Sequence, residues 1–226
     1  MYLTRFQVNP SRRGARKLLA SPQALHAAVL AGFARPQDHT RDGARTLWRI
    51  DSNPDHQLIL YILSPGQPDL THLVEQAGWP TTQTWHSRPY NTLLDALNKD
   101  QQWAFRLTAN PTRSGRRTDT SADTQRFGAV TVAHQTQWLT DRAEKNGFTV
   151  NRQTDDQLNL IVHQRHTLTF NRDRSERPVT LVTATYDGVL TVEDPTVFRR
   201  TLTCGLGHAR AYGCGLLTLA PIGACG

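Results

Sequence analysis

The first 90 residues switch between the hydrophobic spacing of strands and that of helices. Apolar and polar side chains alternate over residues 1–8, as in a strand with one buried face, whereas residues 21–33 repeat apolar positions every three or four residues. The pattern predicts strands over 1–8, 45–50, 56–63 and 82–88 and helices over 21–33 and 69–77. This β-α-β-β-α-β order predicts a ferredoxin-like domain over residues 1–90.

The same order of elements returns in residues 91–226. After a connecting helix over 92–98, the pattern predicts strands over 103–110, 158–170 and 177–192, helices from about 134 to 146 and over 195–202, and a final apolar strand. The segment PTRSGRR, residues 111–117, is expected to be an arginine-rich loop. We therefore predict an α+β fold class with two tandem ferredoxin-like domains, residues 1–90 and 91–226.

The helix over residues 21–33 has a well-marked start and carries one histidine. Ser21 is a suitable N-cap, and Pro22 suits the first helical position because its missing N–H would have had no partner there. The apolar stripe comprises Leu25, Ala28, Val29, Gly32 and Phe33. His26 lies one position round from this stripe, so we expect its imidazole at the edge of the buried face. An ordinary half-buried histidine and a catalytic one are both compatible with that position.

Positive charge is in excess and is concentrated at both ends of the chain. The net charge of +7 and the pI of about 9.8 favour an anionic partner such as nucleic acid. The basic residues of two segments without acidic residues are Arg5, Arg12, Arg13, Arg16 and Lys17 in 1–20, and Arg199, Arg200 and Arg210 in 195–226.

Hydropathy and cysteine usage indicate a soluble, cytoplasmic protein. The chain has no run of 18 apolar residues and no short apolar segment behind a basic start. Cys204, Cys214 and Cys225 form no CxxC pair, which favours free thiols in a reducing compartment. A zinc site from Cys204, His208 and Cys214 would have three irregularly spaced ligands, so we expect no metal and no cofactor.

A glycine-rich segment lies between the last helix and the last strand. Gly205, Gly207, Gly213 and Gly215 permit positive φ angles and close backbone approach to a ligand. Arg210 and Tyr212 add a charge and an aromatic ring, which suits phosphate or RNA backbone. The spacing is not that of a Walker loop, and an ordinary tight connection remains an alternative.

Four segments together resemble the CasE family, the CRISPR repeat-processing endoribonucleases of type I-E Cascade in the RAMP superfamily. These segments are MYLTRFQVNP, SPQALHAAVLAGF, FRLTANPT and the terminal GLGHARAYGCGLLTLAP. The resemblance implies two tandem ferredoxin-like domains, binding of the repeat hairpin of precursor CRISPR RNA, and metal-independent cleavage on the 3′ side of the stem. It also implies that the isolated protein is a monomer, and that after cleavage the protein keeps the mature crRNA bound and joins other Cascade subunits.

The resemblance assigns the catalytic role to His26, at the position of the family's histidine in the first helix. Many relatives have a tyrosine three residues earlier, where this chain has Gln23, and arginine directly after the histidine, where it has Ala27. Gln23 lacks an acidic proton, so its supporting role is limited to hydrogen bonding. Because RNA supplies the 2′-OH nucleophile, one histidine for proton transfer and basic neighbours suffice.

The candidate RNA-binding residues come from three segments. The predicted turn NRDRSER, residues 171–177, joins two strands and contains Arg172, Arg174 and Arg177, although Asp173 and Glu176 partly neutralise it. The full set is Arg13, Arg16 and Lys17 before the catalytic helix, Arg172, Arg174 and Arg177 in the turn, and Gly207, His208, Arg210, Tyr212 and Gly213 in the glycine-rich segment.

Two alternative functions stay open at this stage. A RAMP subunit that binds RNA without cleaving it is compatible with Gln23. A two-histidine RNA phosphodiesterase needs two H-x-T/S motifs; His134-Gln135-Thr136 matches one, and His86-Ser87-Arg88 does not complete the pair.

Overall fold

Two antiparallel sheets, each with helices packed against it, contain most of the secondary structure. The computed structural model describes residues 1–35, 40–41, 43–53, 55–80, 83–116, 124–171 and 178–223. The strands are β1 (Tyr2–Val8), β2 (Thr40–Arg41), β3 (Ala44–Arg45), β4 (Leu47–Ser52), β5 (Leu58–Ser64), β6 (Trp85–Pro89), β7 (Gln102–Ala109), β8 (Thr112–Arg116), β9 (Thr124–Gly128), β10 (Phe148–Val150), β11 (Leu160–Asn171), β12 (Pro178–Val192) and β13 (Leu217–Ala220). The helices are α1 (Arg13–Leu19), α2 (Pro22–Leu30), α3 (Thr71–Ala77), α4 (Asn91–Ala96), α5 (Val132–Ala143) and α6 (Pro195–Cys204).

Both sheets have the strand order of a ferredoxin-like fold. The first sheet runs β4-β5-β1-β6, so its first strand in sequence is central and its last is at an edge. The second runs β10-β12-β7-β13, with β11 also pairing with β12. The predicted α+β class with tandem ferredoxin-like units is therefore confirmed. The boundary near residue 90 stays a prediction, because Leu47 and Leu63 share one buried core with Phe105 and Leu107.

Several local predictions need correction. Residues 13–19, whose sequence predicts only a basic segment, form α1, with Ala15 buried against the first sheet's core. Residues 112–116 of the predicted loop 111–117 form β8 and pair with β9, because Thr112–Arg116 find ladder partners in Thr124–Gly128. The short strand β10 was not predicted; three residues are too few to show a hydrophobic period.

Helix α2 begins as predicted and ends earlier. The Ser21 side chain accepts from the Ala24 N–H, and Pro22 is the first helical residue. The helix ends at Leu30 rather than at residue 33, because the chain at Gly32 turns to meet the loop before α3. There the Gly32 carbonyl accepts from the Asp69 N–H at 2.9 Å, and a Cβ on Gly32 would lie 3.0 Å from the Asp69 carbonyl oxygen.

A buried arginine ties the two sheets together. Arg49 on β4 has a side chain only 3% exposed and pairs with Asp51 through Nε–Oδ1 at 2.6 Å and Nη2–Oδ2 at 2.8 Å. Its Nη1 donates to the carbonyls of Arg106 on β7 and Leu216 beside β13. Since a buried guanidinium needs partners for its N–H groups, this network fixes how the sheets meet.

Candidate active site

His26 is held at its Nδ1 atom by a neighbouring indole. The imidazole is half-buried in the middle of α2, and Nε1 of Trp48 donates to His26 Nδ1 at 3.2 Å. Trp48 comes from β4 and is 4% exposed, so its ring is fixed by the core. Because an N–H points at Nδ1, the neutral imidazole carries its proton on Nε2.

Gln23 lies one turn before His26 on α2. Residues three apart in a helix share a face, so the two side chains are neighbours on the helix surface. Both are half-buried. The structure therefore places the predicted supporting residue beside the predicted catalytic one.

The glycine-rich segment packs against the strand that carries Trp48. Gly213 has φ +79° and is buried, and a Cβ there would lie 2.7 Å from Cζ3 of Trp48. Gly207 has φ +83°, and a Cβ there would lie 2.9 Å from Cζ2 of Trp138. The lack of a Cβ thus serves packing inside the protein at both positions, and their contact with RNA stays a prediction.

Arg210 lies in the same segment, and its positive charge is not balanced by a carboxylate among the described residues. Its Nε is buried with no hydrogen-bond partner among the described residues. Burial, followed by the positive charge of Arg45, lowers the pKa of Arg210, and the nearby Cys204 partly opposes this. Within the described part of the chain, neither guanidinium forms an ion pair with a carboxylate. An anion such as a phosphate would offset both costs.

Tyr212 connects the glycine-rich segment to the second sheet. Its ring meets Phe170 edge-on, with centroids 4.9 Å apart. Phe170 is the penultimate residue of β11, directly before the predicted arginine turn. Arg172, Arg174 and Arg177 themselves lie outside the described residues, so their role stays a prediction.

The basic residues before α2 form an exposed face of α1. Arg13, Arg16 and Lys17 are all exposed, and their spacing places them on one side of the helix, away from the buried Ala15. Helix α1 also packs against α2. The structure therefore brings this cationic face close to the helix that carries His26.

An open cleft of about 370 Å³ separates the two sheets beside these elements. Pro22, Leu25 and Trp48 line one side, and Tyr212 and Gly213 also contribute. The opposite side is formed by β11 and β12 and includes Gln164 and His166, where a β-bulge interrupts the register between His163 and His166. The cleft lies next to the helix residue that precedes His26 and is lined by the tryptophan that bonds it.

Two of these residues, Trp48 and His166, were not predicted from the sequence. Trp48 reads only as an apolar strand position, and nothing in the sequence shows that its indole N–H meets His26. His166 reads as one of several polar residues in a long strand, and only the fold shows that its exposed side chain lines the cleft. Neither contact has a signal in local spacing.

The other histidine candidates lie elsewhere. His208 is exposed and lines a separate cavity of about 380 Å³ with His134 of α5 and Arg113 of β8. His86 is exposed on β6 and is not part of that cavity's lining. The structure thus does not join the two motifs that a two-histidine phosphodiesterase would need.

The cysteines and the described helices bear on two other roles, metal binding and membrane insertion. Burial raises the pKa of the Cys214 thiol to about 12, so it is a poor metal ligand, and the Cys204 Sγ lies 3.2 Å from the Gly43 carbonyl oxygen. In the ranges that the structure describes, no group of three or more side chains is arranged to bind a metal ion. No described helix has the length and hydropathy of a membrane span.

Comparisons with known proteins extend over almost the whole chain. CRISPR-associated endoribonuclease Cse3 of Thermus thermophilus is 28% identical over 227 residues, covering 98% of this chain and 100% of the relative. A structure of CRISPR endoribonuclease Cse3 bound to a 19 nt RNA is 29% identical with a TM-score of 0.80, covering 98% of this chain and 100% of the other. Thermus thermophilus Cse3 bound to an RNA representing a pre-cleavage complex is 28% identical with a TM-score of 0.78, covering 97% and 98%.

The family resemblance inferred from the four sequence segments is confirmed by these matches. A family model described as "CRISPR associated protein" matches residues 1–221. Since that match spans nearly all of the 226 residues, the chain belongs to this family of CRISPR associated proteins.

Proposed function

We propose that this chain is an endoribonuclease that binds the repeat hairpin of precursor CRISPR RNA and cuts it on the 3′ side of the stem. One observation carries the proposal: the half-buried His26 is held beside an open cleft by Trp48, among cationic and glycine-rich elements. Its relatives Cse3, similar over their full length, are named endoribonucleases and have structures with RNA.

The chemistry needs a nucleophile, a proton acceptor and a proton donor. The 2′-OH of the nucleotide before the cut attacks the adjacent phosphorus and loses its proton, and the 5′ oxygen leaves and gains one. The products are a 2′,3′-cyclic phosphate and a 5′-hydroxyl. RNA provides the nucleophile itself, so alignment and proton transfer suffice without a metal-bound water. His26 moves one of the two protons.

Cations around the cleft stabilise the phosphate charge. The positive charge of Arg45 contributes to the lowered pKa of Arg210, so a phosphate bound to the Arg210 guanidinium would offset this repulsion through charge-assisted hydrogen bonds. The exposed face of Arg13, Arg16 and Lys17 contacts the RNA backbone, as do Arg172, Arg174 and Arg177. His208 and Tyr212 extend this surface along the glycine-rich segment.

The product stays on the protein after cleavage. A hairpin held through many phosphate contacts dissociates slowly, which makes the mature crRNA a bound partner rather than a released product. The protein then becomes a subunit of Cascade with this RNA bound, as the resemblance to the CasE family implies.

Incubation with a labelled repeat hairpin in excess EDTA tests the function. We expect one cut at the base of the stem and a 2′,3′-cyclic phosphate end, because the nucleophile belongs to the RNA. Strict dependence on added magnesium would contradict the mechanism. Tight binding with no cleavage would instead identify a non-catalytic RNA-binding subunit, which Gln23 in place of the family's tyrosine keeps as the second candidate.

A 2′-deoxy substitution at the nucleotide before the cut is the matched control. It removes the attacking oxygen and leaves the phosphates and bases in place, so binding should persist while cleavage stops. Cleavage of that substrate would show that water is the nucleophile.

A further inference from the structure

We propose that Trp48 is a positioning residue for His26, which sets the nitrogen that carries the imidazole proton, and that the glycine-rich segment holds Trp48 in place through Gly213. The proposal rests on the proposed function, since it assigns a role within that site. Two contacts support it: the Trp48 indole with the His26 imidazole, and the Gly213 backbone with the Trp48 indole.

The first contact decides the state of the imidazole. A neutral histidine has one N–H and one bare nitrogen, and here the Trp48 N–H points at Nδ1 from 3.2 Å. Adding a proton to that ring places it on Nδ1, where it meets the indole hydrogen and breaks the bond. Trp48 therefore favours the neutral ring with its proton on Nε2, and it also fixes the ring's orientation.

The second contact explains why Trp48 stays in place. The ring is 4% exposed, and the space next to its Cζ3, Cη2 and Cε3 atoms is filled by the backbone of Gly213. A Cβ at Gly213 would lie 2.7 Å from Cζ3, closer than side-chain contacts allow, so the ring would have to move. The positive φ of Gly213 adds a backbone preference for glycine. The glycine-rich segment thus acts on His26 without contacting it.

Other titratable groups surround α2 and act on His26 in the wild type and in a Trp48 variant alike. They are Arg13, Arg16 and Lys17 on α1, His72 of α3, whose Nε2 lies 2.8 Å from the Ala28 carbonyl oxygen, Arg49 and Asp51 on β4, and Arg210 and Tyr212 in the 3₁₀ turn after α6. Most are cationic. These groups are the same in the wild-type protein and in W48F. A comparison of the two proteins at constant ionic strength therefore measures the effect of the indole N–H.

The first test is the state of His26 in the wild-type protein. Imidazole ¹⁵N chemical shifts of the RNA-free chain distinguish the two neutral forms and follow the titration of the ring. We expect the proton on Nε2 and a bare Nδ1. A neutral ring that carries its proton on Nδ1 would overturn the proposal without any variant.

The second test is W48F, which keeps an aromatic ring and removes the N–H. We expect His26 to become charged at a pH higher by about half a unit to one unit, the shift that one neutral hydrogen bond produces. The limb of the single-turnover pH–rate profile that belongs to His26 should move by the same amount. Movement of the acid limb identifies His26 as the base, and movement of the alkaline limb identifies it as the acid.

Two further variants complete the test. G213A should move the same limb in the same direction, because it displaces the Trp48 ring. W103F is the matched control: Trp103 also has a buried indole nitrogen, with no hydrogen-bond partner among the described residues, and its loss should leave the limb where it is. Unchanged His26 shifts and an unchanged limb in folded W48F would overturn the proposal. If H26A cleaves normally, the proposed catalytic role fails, while the ¹⁵N titration still tests the Trp48 contact.

Discussion

Among single residues, Arg210 has a proposed binding role that would carry a cost in the free protein. Its Nε is buried without a partner among the described residues, and burial together with the charge of Arg45 lowers its pKa. A buried donor without an acceptor lowers the free energy of unfolding, because it loses its hydrogen bonds to water and gains none in the protein. That cost is offset only when an anion binds, so Arg210 should stabilise the complex and not the free chain.

We therefore expect R210M to weaken hairpin binding by about 10- to 100-fold, the value of one or two charge-assisted hydrogen bonds. The free energy of unfolding without RNA should stay the same or rise. Filter binding and urea denaturation measure the two effects. R199M is the contrasting variant, because Arg199 donates to the carbonyls of Leu94 and Leu97 at 2.6 Å. It should lose about 1–3 kcal/mol of stability and keep its affinity; the opposite pattern for either variant would contradict these assignments.

Among the secondary-structure elements, α1 places the basic residues of its sequence on one side of a helix. Arg13, Arg16 and Lys17 are exposed together while Ala15 is buried, so the helix presents three cations to one side. If this face binds RNA as proposed, it does so through phosphates, and each neutralised phosphate releases condensed counterions. Its contribution should depend on salt and little on the sequence of the stem.

Each single alanine substitution of Arg13, Arg16 or Lys17 should lower the slope of log affinity against log salt by about 1 or slightly less. The same holds for Arg172, Arg174 and Arg177. Salt titrations of hairpin binding measure the slopes. K99A is the control, since Lys99 is exposed in the turn after α4. Wild-type slopes in all six variants would show that these side chains are only solvated.

Hydrophobic spacing predicted those helices and strands whose buried residues recur at a regular interval along the sequence. Helix α2 with its Ser21 cap, the long strands β11 and β12, and both ferredoxin-like orders follow from local pattern and cap chemistry. Helix α1 was missed because four of its seven residues are Gly, Arg or Lys, which hide the short apolar stripe. The site was predicted at His26 through family resemblance, whereas Trp48 depends on a tertiary contact that no local pattern encodes.

In the complete fold, a buried arginine and its partners connect the two sheets beside their shared apolar core. Arg49 bridges Asp51 on its own strand and carbonyls from the second sheet, with its side chain 3% exposed. The cleft lies along this junction and includes Arg49 in its lining. Loss of the pair should therefore affect both stability and the geometry of the cleft.

We expect R49M to lower the free energy of unfolding by about 3–5 kcal/mol, because Asp51, whose side chain is only 12% exposed, loses its main partner and keeps only Arg106 at 3.7 Å. The double variant R49M/D51L should lose less than the single variant, since no unpaired charge remains. Urea denaturation measures both. R152M provides the comparison: Arg152 pairs with Asp156 at 3.3 Å on the surface, with its side chain 58% exposed, and its loss should cost no more than about 0.5 kcal/mol. Equal losses for R49M and R152M would contradict a special role for the buried pair.

The proposed function depends on His26 being the group that moves a proton during RNA cleavage. The direct test is the single-turnover rate of hairpin cleavage by H26A with protein in excess, so that slow product release does not mask the chemical step. We predict a rate lower by about 10² to 10⁴ with hairpin affinity nearly unchanged, and a wild-type rate for the control H134A. A wild-type rate in H26A, or a loss in H134A in its place, would contradict the assignment.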